Sequence, residues 1–546
     1  NPAIRAEVAE MFAGKTYVLF LYTYIKDVRL VFAPPASVGN FGGEIDNWEW
    51  PRHTGDFSFM RAYVAPDGST AEYSPNNVPY QPKRFIPVQP KGVVEGDYVM
   101  LIGYPGRTAR HKTASFLKYE QNVRLPYVVD LYNWQIDIME NDGKDDRAVA
   151  LKHSSRKKGL ANVEKRSRGQ LKGLLRKKIV AKRAAAEAEL QAFIDADPGR
   201  KAKYGNLLAD IGKVYAEMSD RKHQMDLANL RSACRTLSIA YSLYDAAMER
   251  QKDDLDRESP YMDRNIDLTR RRLMLTQKDL HLPTDRKMLI GMLERLAEHG
   301  GPLGEPGSSL KAEVDVKQVD EVLNGTKLTD AKFVESCFDK TPDQLRQLND
   351  PAIEWIAQLY PRYLELREEG KAREGQLDQL YGELVRVKQE FLKQSFVPDA
   401  NATLRLTFGH IKGYSPEDAV YKSPITTLGG AVDKATGVAP FILPQSIIDK
   451  HASREFGAFA HPKLKDVPTG ILYDTDTTGG NSGSPIINAR GELVGVNFDR
   501  AFEATINDFA WNESYSRSIG VDIRYALWIT GEVFGANHLL TEMGVR

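Results

Sequence analysis

Short runs of β-branched and aromatic residues at 17–24, 28–32, 57–64 and 98–102 open the chain, and proline or glycine turns interrupt them. Pro34-Pro35, Gly42-Gly43, Pro66-Asp67-Gly68 and Pro105-Gly106 are such breaks, so the pattern predicts strands joined by tight turns. The period then changes. Leu227, Leu230, Cys234, Leu237, Tyr241, Tyr244 and Met248 step by three and four, which predicts one helix with a single apolar stripe. Leu377, Leu380, Leu384, Val387 and Phe391 repeat that spacing, so the middle of the chain reads as a bundle with coiled-coil-like seams. After Pro398 the strand texture returns at 403–408, 470–473, 485–487 and 492–498, with the turn Asn488-Ala489-Arg490-Gly491 and a last helix near 525–534. The order β, all-α, β predicts an α+β protein in three parts. Residues 1–112 form a β lobe, 113–400 an inserted helical domain, and 401–546 a second β lobe.

A length of 546 residues exceeds one ordinary core and agrees with several domains. Lys+Arg 74 balances Asp+Glu 74, which argues against bulk nucleic acid or an anionic membrane surface as a partner. Thirteen Lys and Arg with only Glu164 as an acid lie between positions 152 and 183; without interleaved aromatics this stripe reads as a solvated helical face or a field attracting acidic peptides. The apolar run at 17–25 is too short to span a bilayer. Cys234 and Cys337 alone exclude a disulfide-dense scaffold and a four-cysteine zinc site, and leave their pairing open. No His-Glu-x-x-His pair, phosphate loop or Gly-x-Gly-x-x-Gly turn is present, so neither a metal nor a cofactor is expected.

The sharpest chemical signal is Thr478-Gly479-Gly480-Asn481-Ser482-Gly483-Ser484-Pro485, set between strands. Acyl transfer needs an exposed serine oxygen on a tight turn, with backbone N–H groups aimed at the developing oxyanion; Ser482 suits the first role and the Gly480 and Ser482 N–H groups the second. A glycine-rich hairpin would use similar residues. In Asp46-Asn47-Trp48-Glu49-Trp50-Pro51-Arg52-His53-Thr54-Gly55-Asp56, the final carboxylate stands just before a strand, where it can orient a histidine or cap its own turn.

Together these motifs resemble the bacterial dipeptidyl-peptidase 7 and 11 family of chymotrypsin-fold serine exopeptidases, over essentially the whole chain and including Val521-Asp522-Ile523-Arg524-Tyr525. The resemblance implies a double β-barrel, its first barrel incomplete, with the helical domain inserted between the barrels. It implies Asp56 as triad acid and Ser482 as nucleophile. It also implies that Asn47, the Trp48 backbone, Asn162 and Asp499 hold the substrate's terminal ammonium. The family's dipeptidyl-peptidase 11 branch has arginine where this chain has Arg500, and the other branch has glycine, so the resemblance implies cleavage after Asp or Glu in the second position. Pairing of Arg500 with Asp499 or Asp508 is the plainer alternative.

The family's general base is a histidine ahead of the triad acid. Before Asp56 the chain has only His53, to which the resemblance gives no triad role, and His410, His451 and His461 are poor substitutes. The chain opens at Asn1 without a leader, so the expectation is a truncated first lobe and a polypeptide inactive or nearly so. Oligopeptides are the expected partners, a homodimer is left open, and the resemblance implies a periplasmic or surface location. A non-catalytic peptide binder and a Glu-directed serine endopeptidase are the alternatives.

Overall fold

The computed structural model describes residues 4–12, 15–300 and 314–545. It has a mixed α/β architecture with sheets and a helical domain, and it divides into two compact units. One comprises residues 1–117, 165–205 and 381–546 and carries the sheets; the other comprises 118–164 and 206–380 and is helical. Residues 165–205 and 381–400, which fall inside the helical stretch of the sequence, therefore belong to the β unit.

Twelve strands are described. They are β1 (Ile4–Phe12), β2 (Thr16–Thr23), β3 (Asp27–Phe32), β4 (Phe59–Val64), β5 (Val78–Pro79) and β6 (Tyr98–Gly103), followed by β7 (Arg405–His410), β8 (Ile425–Thr427), β9 (Pro468–Tyr473), β10 (Pro485–Asn488), β11 (Leu493–Arg500) and β12 (Ser518–Asp522). β1 and β2 form a hairpin, β3-β4-β5 a small sheet, and the remaining seven a sheet in the order β7-β6-β10-β11-β12-β9-β8. Its paired strands are all antiparallel. The end of β7 also reaches β9, through Asp474 N–H to His410 O at 3.2 Å and Lys412 N–H to Leu472 O at 3.1 Å.

The strand at 98–102 was grouped by sequence with the first lobe; β6 instead pairs with β7 and β10, far along the chain. Its buried Val99 and Leu101 join Ile411, Ile471, Tyr473, Ile486 and Val494 in one apolar cluster, and this burial sets its place. β9 and β12 are buried along their whole lengths, as strands covered on both faces must be.

In the helical unit a single core gathers Leu131, Leu237, Tyr244, Leu289, Phe338, Ile356 and their neighbours. The stripe from Leu227 to Met248 is two helices, Lys222–Ala233 and Arg235–Glu249, and not one. Cys234 is extended between them, and the buried Asp285 carboxylate caps the second helix by accepting from Arg235 N–H at 3.0 Å and Thr236 N–H at 2.6 Å. Cys234 and Cys337 are buried free thiols. The 377–391 stripe lies in the helix Pro351–Leu392. Near the C-terminus the expected helix at 525–534 is a short helix, Ile523–Trp528, that loosens into a π-turn at Ile529–Val533, and another helix, Asn537–Glu542, follows. Among the described residues no helix is long and apolar enough to cross a membrane.

Candidate active site

The Thr478–Ser484 turn joins β9 to β10, and backbone and amide bonds hold its shape. Asn481 Oδ1 accepts from Thr478 N–H at 3.0 Å, and Asn497 on β11 donates from Nδ2 to Asn481 O at 2.9 Å while its own carbonyl accepts from Gly483 N–H at 2.7 Å. Tyr473 in turn fixes Asn497 by donating its hydroxyl to Oδ1 at 2.6 Å. Gly480 has φ +104°, and a Cβ there would lie 2.3 Å from Tyr104 O, so only glycine fits. Among the described residues neither the Gly480 nor the Ser482 N–H donates a backbone hydrogen bond. Ser482 is exposed, and its Oγ donates to Phe498 O at 3.1 Å.

The next two residues of β11 carry two more of the predicted groups. Asp499 is almost completely buried; its Oδ2 accepts from Trp48 N–H at 3.0 Å and Arg52 Nη1 at 2.9 Å, and its Oδ1 accepts from Arg500 N–H at 2.8 Å. Trp48 has φ +61°, a conformation uncommon for a side-chain-bearing residue, and this turns its N–H toward Asp499. Arg500 is buried with its Cζ 5.2 Å from the Trp48 ring centre. Its Nη1 donates to Asp508 Oδ1 at 3.1 Å and to Thr477 O and Ala504 O, each at 3.3 Å. Its Nη2 is buried with no hydrogen-bond partner among the described residues. Pairing with Asp508 is thus present, and it leaves half of the guanidinium fork unused.

Asn47 is half-buried and donates from Nδ2 to Glu44 Oε2 at 3.0 Å, beside Trp48. Asp56 is exposed on the extended segment leading into β4, where Gly55 N–H bonds Val38 O at 2.9 Å. The structure therefore joins Trp48, Ser482, Asp499 and Arg500 through β11, whereas Asp56 connects to them along the chain from Arg52. Asn162 falls in the helical unit, on the helix Arg147–Arg176.

The four candidate histidines of the β unit, His53, His410, His451 and His461, have other surroundings. His53 is buried with its ring against Gly430, and burial, then Lys434 and Arg52, lower its pKa to about 3, unsuited to a base at neutral pH. His461 accepts at Nδ1 from Lys463 and Leu464 N–H, His451 faces Asp466 at 3.8 Å, and His410 packs edge-on against Tyr98. No histidine among the described residues bonds Ser482.

One cluster in the helical unit has the residue types of a metal centre: Asp142, His153 and His281. Thr284 Oγ1 sits among them, 2.6 Å from Asp142 Oδ2, 2.9 Å from His153 Nε2 and 2.8 Å from His281 Nδ1, and Lys287 pairs with Asp142. A hydroxyl that donates once and accepts twice satisfies this set, and the neighbouring ammonium opposes a cation.

Arg52 and Gln170 are the site neighbours that sequence reading gave no role, and Asp508 entered there only as a partner for Arg500. Gln170 Nε2 donates to Asp508 Oδ2 at 2.7 Å, and Thr478 Oγ1 donates to Asp508 Oδ1 at 2.6 Å. Arg52 lies inside a motif already singled out, but only the fold shows that it faces Asp499.

An exposed serine on a glycine turn, beside two N–H groups that make no backbone hydrogen bond among the described residues, is an arrangement that serine-type acyl transfer can use. Comparison with known proteins narrows this. The sequence model of the family "Peptidase S46" matches residues 1–545. The Asp/Glu-specific dipeptidyl-peptidase of Shewanella putrefaciens is 33% identical over 99% of this chain and 77% of its own length. Dipeptidyl-peptidase 7 of Phocaeicola vulgatus is 32% identical over 99% of this chain and 76% of its own. The crystal structure of Porphyromonas endodontalis DPP11 in complex with the dipeptide Arg-Glu superposes with TM-score 0.83 at 29% identity, covering 100% of this chain and 78% of that one. The chain belongs to the peptidase S46 family.

Proposed function

We propose that the protein is a serine dipeptidyl-peptidase that releases N-terminal dipeptides with Asp or Glu in the second position. The observation that carries this is the order Phe498, Asp499, Arg500 on one strand: Phe498 O touches the nucleophile, Asp499 is a carboxylate with a nearly inaccessible side chain, and Arg500 is a buried cation with an unused Nη2. Three consecutive strand residues span roughly 7 Å, so the contact of the nucleophile, the anion and the cation all fall within the length of a dipeptide. In this reading Ser482 attacks, the Gly480 and Ser482 N–H groups hold the oxyanion, and Asn47, Trp48 and Asp499 receive the ammonium. Arg500 receives the acidic side chain, and Asp56 is the acid of the triad. The sheet of β6 to β12 is one barrel of a chymotrypsin-like pair and β3-β4-β5 belongs to the other; the bonds between β7 and β9 support closure of the first. The place of action in this proposal is the periplasm or the cell surface.

With no histidine bonded to Ser482 among the described residues, the chain binds peptides and turns them over slowly, since oxyanion donors alone leave only small residual catalysis. The test uses dipeptidyl amides ending in Asp, Glu or Leu, free or acetylated at the amino terminus, with and without added imidazole. Cleavage of the free acidic substrates, raised by imidazole and lost in Ser482→Ala, supports the proposal. Equal cleavage of acetylated substrates identifies an endopeptidase, and binding with no cleavage under any condition identifies a binder.

A further inference from the structure

Resting on that reading of Arg500, we propose that Asp508 is the positioning residue for substrate selection: it aims the guanidinium so that Nη2 alone meets the acidic side chain. The geometry is a relay. Asp508 Oδ1 takes Arg500 Nη1 at 3.1 Å together with Thr478 Oγ1 at 2.6 Å, and Oδ2 takes Gln170 Nε2 at 2.7 Å. One carboxylate thus ties the arginine both to the first residue of the Ser482 turn and to the helix Arg147–Arg176.

The planar guanidinium has few ways to sit once Nη1 is held. Thr477 O and Ala504 O, each at 3.3 Å, flank Nη1, and the Trp48 ring lies over the cation at 5.2 Å from Cζ. Turning the guanidinium would break all three Nη1 contacts, so Asp508, together with the Thr477 and Ala504 carbonyls, fixes which edge stays free. The free edge is a buried donor with no acceptor, and a substrate carboxylate supplies what it lacks. Asp508 also sets the strength of the reader, because its charge partly cancels that of Arg500. It contributes aim and restrains affinity. Its links to Thr478 and Gln170 keep it from swinging toward solvent.

The two roles separate in variants. Asp508→Asn keeps an oxygen for Arg500 and Thr478, and its amide can meet a reoriented Gln170, so aim survives while the competing charge is gone. Asp508→Ala removes both. Calorimetry on the intact chain with the dipeptides Arg-Glu and Arg-Gln reads the ratio of their affinities, which a merely structural role would leave unchanged. The expected results are a ratio at or above wild type for Asp508→Asn and a ratio reduced about tenfold for Asp508→Ala. Gln170→Ala, which removes one of the carboxylate's two other partners, is expected to lower the ratio by about two- to threefold, and it decides the matter if Asp508→Ala does not fold. A ratio unchanged in Asp508→Ala, or in Gln170→Ala where that variant decides, overturns the proposal, as does a parallel loss of both dipeptides in Asp508→Asn. If Arg-Glu is preferred by wild type and the preference is lost in Arg500→Gln, yet these variants leave it intact, only the role of Asp508 falls. If wild type shows no preference, the reading of Arg500 falls and this proposal with it.

Discussion

Replacing Gly480 by alanine tests the oxyanion assignment at its most constrained point. The residue sits at φ +104°, where a Cβ would stand 2.3 Å from Tyr104 O and 2.7 Å from Gly106 N, both backbone atoms. Reaching an ordinary contact requires a shift of about 1 Å in the turn, enough to misplace the Gly480 N–H with respect to the reacting centre. Loss of one oxyanion donor costs about 2.7–4 kcal/mol, a factor of about 10²–10³. A dipeptidyl boronic acid, whose boron forms a tetrahedral adduct with Ser482 Oγ, reads that term without needing turnover; the matching dipeptide amide reads ground-state binding. Gly480→Ala is expected to weaken the boronate by about 10²–10³-fold and the amide by no more than about threefold. Equal weakening of both ligands, or unchanged boronate affinity in a folded variant, would refute the assignment.

Other outcomes follow from neighbouring residues. Arg500→Gly should weaken Arg-Glu by about 10- to 150-fold, the range for a hydrogen bond between charged groups worth about 1.5–3 kcal/mol, and leave Arg-Leu little changed; calorimetry showing an unaltered preference for the acidic dipeptide refutes the pocket assignment. Acetylating the amino terminus of Arg-Glu should lower its affinity at least about tenfold, and equal binding of both forms would exclude an ammonium anchor. His53 gives a pH prediction. An unfolded histidine takes its proton near pH 6.5 and the folded one only near about 3, so the unfolded state binds the extra proton between these values and stability falls as pH drops through that window. In denaturant titrations at pH 4 and pH 7, His53→Leu should therefore show a smaller acid loss of stability than wild type; an identical loss contradicts the burial argument.

Several elements were legible because their causes are local. The glycine turn around Ser482 and the 377–391 stretch of the helix Pro351–Leu392 declare themselves through φ requirements and a three-four apolar period. The break at Cys234 was not legible, because its cause is a carboxylate 50 positions beyond Arg235 that caps the second helix. Nor was the place of β6: its alternation marks a strand, but its partners β7 and β10 are chosen by a core assembled from the other end of the chain. The site divides in the same way. Ser482 and Arg500 stand in short motifs with chemical meaning, whereas the bonds of Arg52 to Asp499 and of Gln170 to Asp508 join segments 447 and 338 positions apart. Asp56 was named from its motif, yet its exposure differs from the buried setting of a triad aspartate, a difference only coordinates reveal.

A crystal structure of this chain with Arg-Glu bound tests the central claim most directly. The account predicts the dipeptide's ammonium against Asp499, its glutamate side chain on Arg500 Nη2, and its terminal carboxylate between Ser482 Oγ and the Gly480 and Ser482 N–H groups. A dipeptide seated away from β11, or lying there with its ammonium beside Ser482, would contradict it.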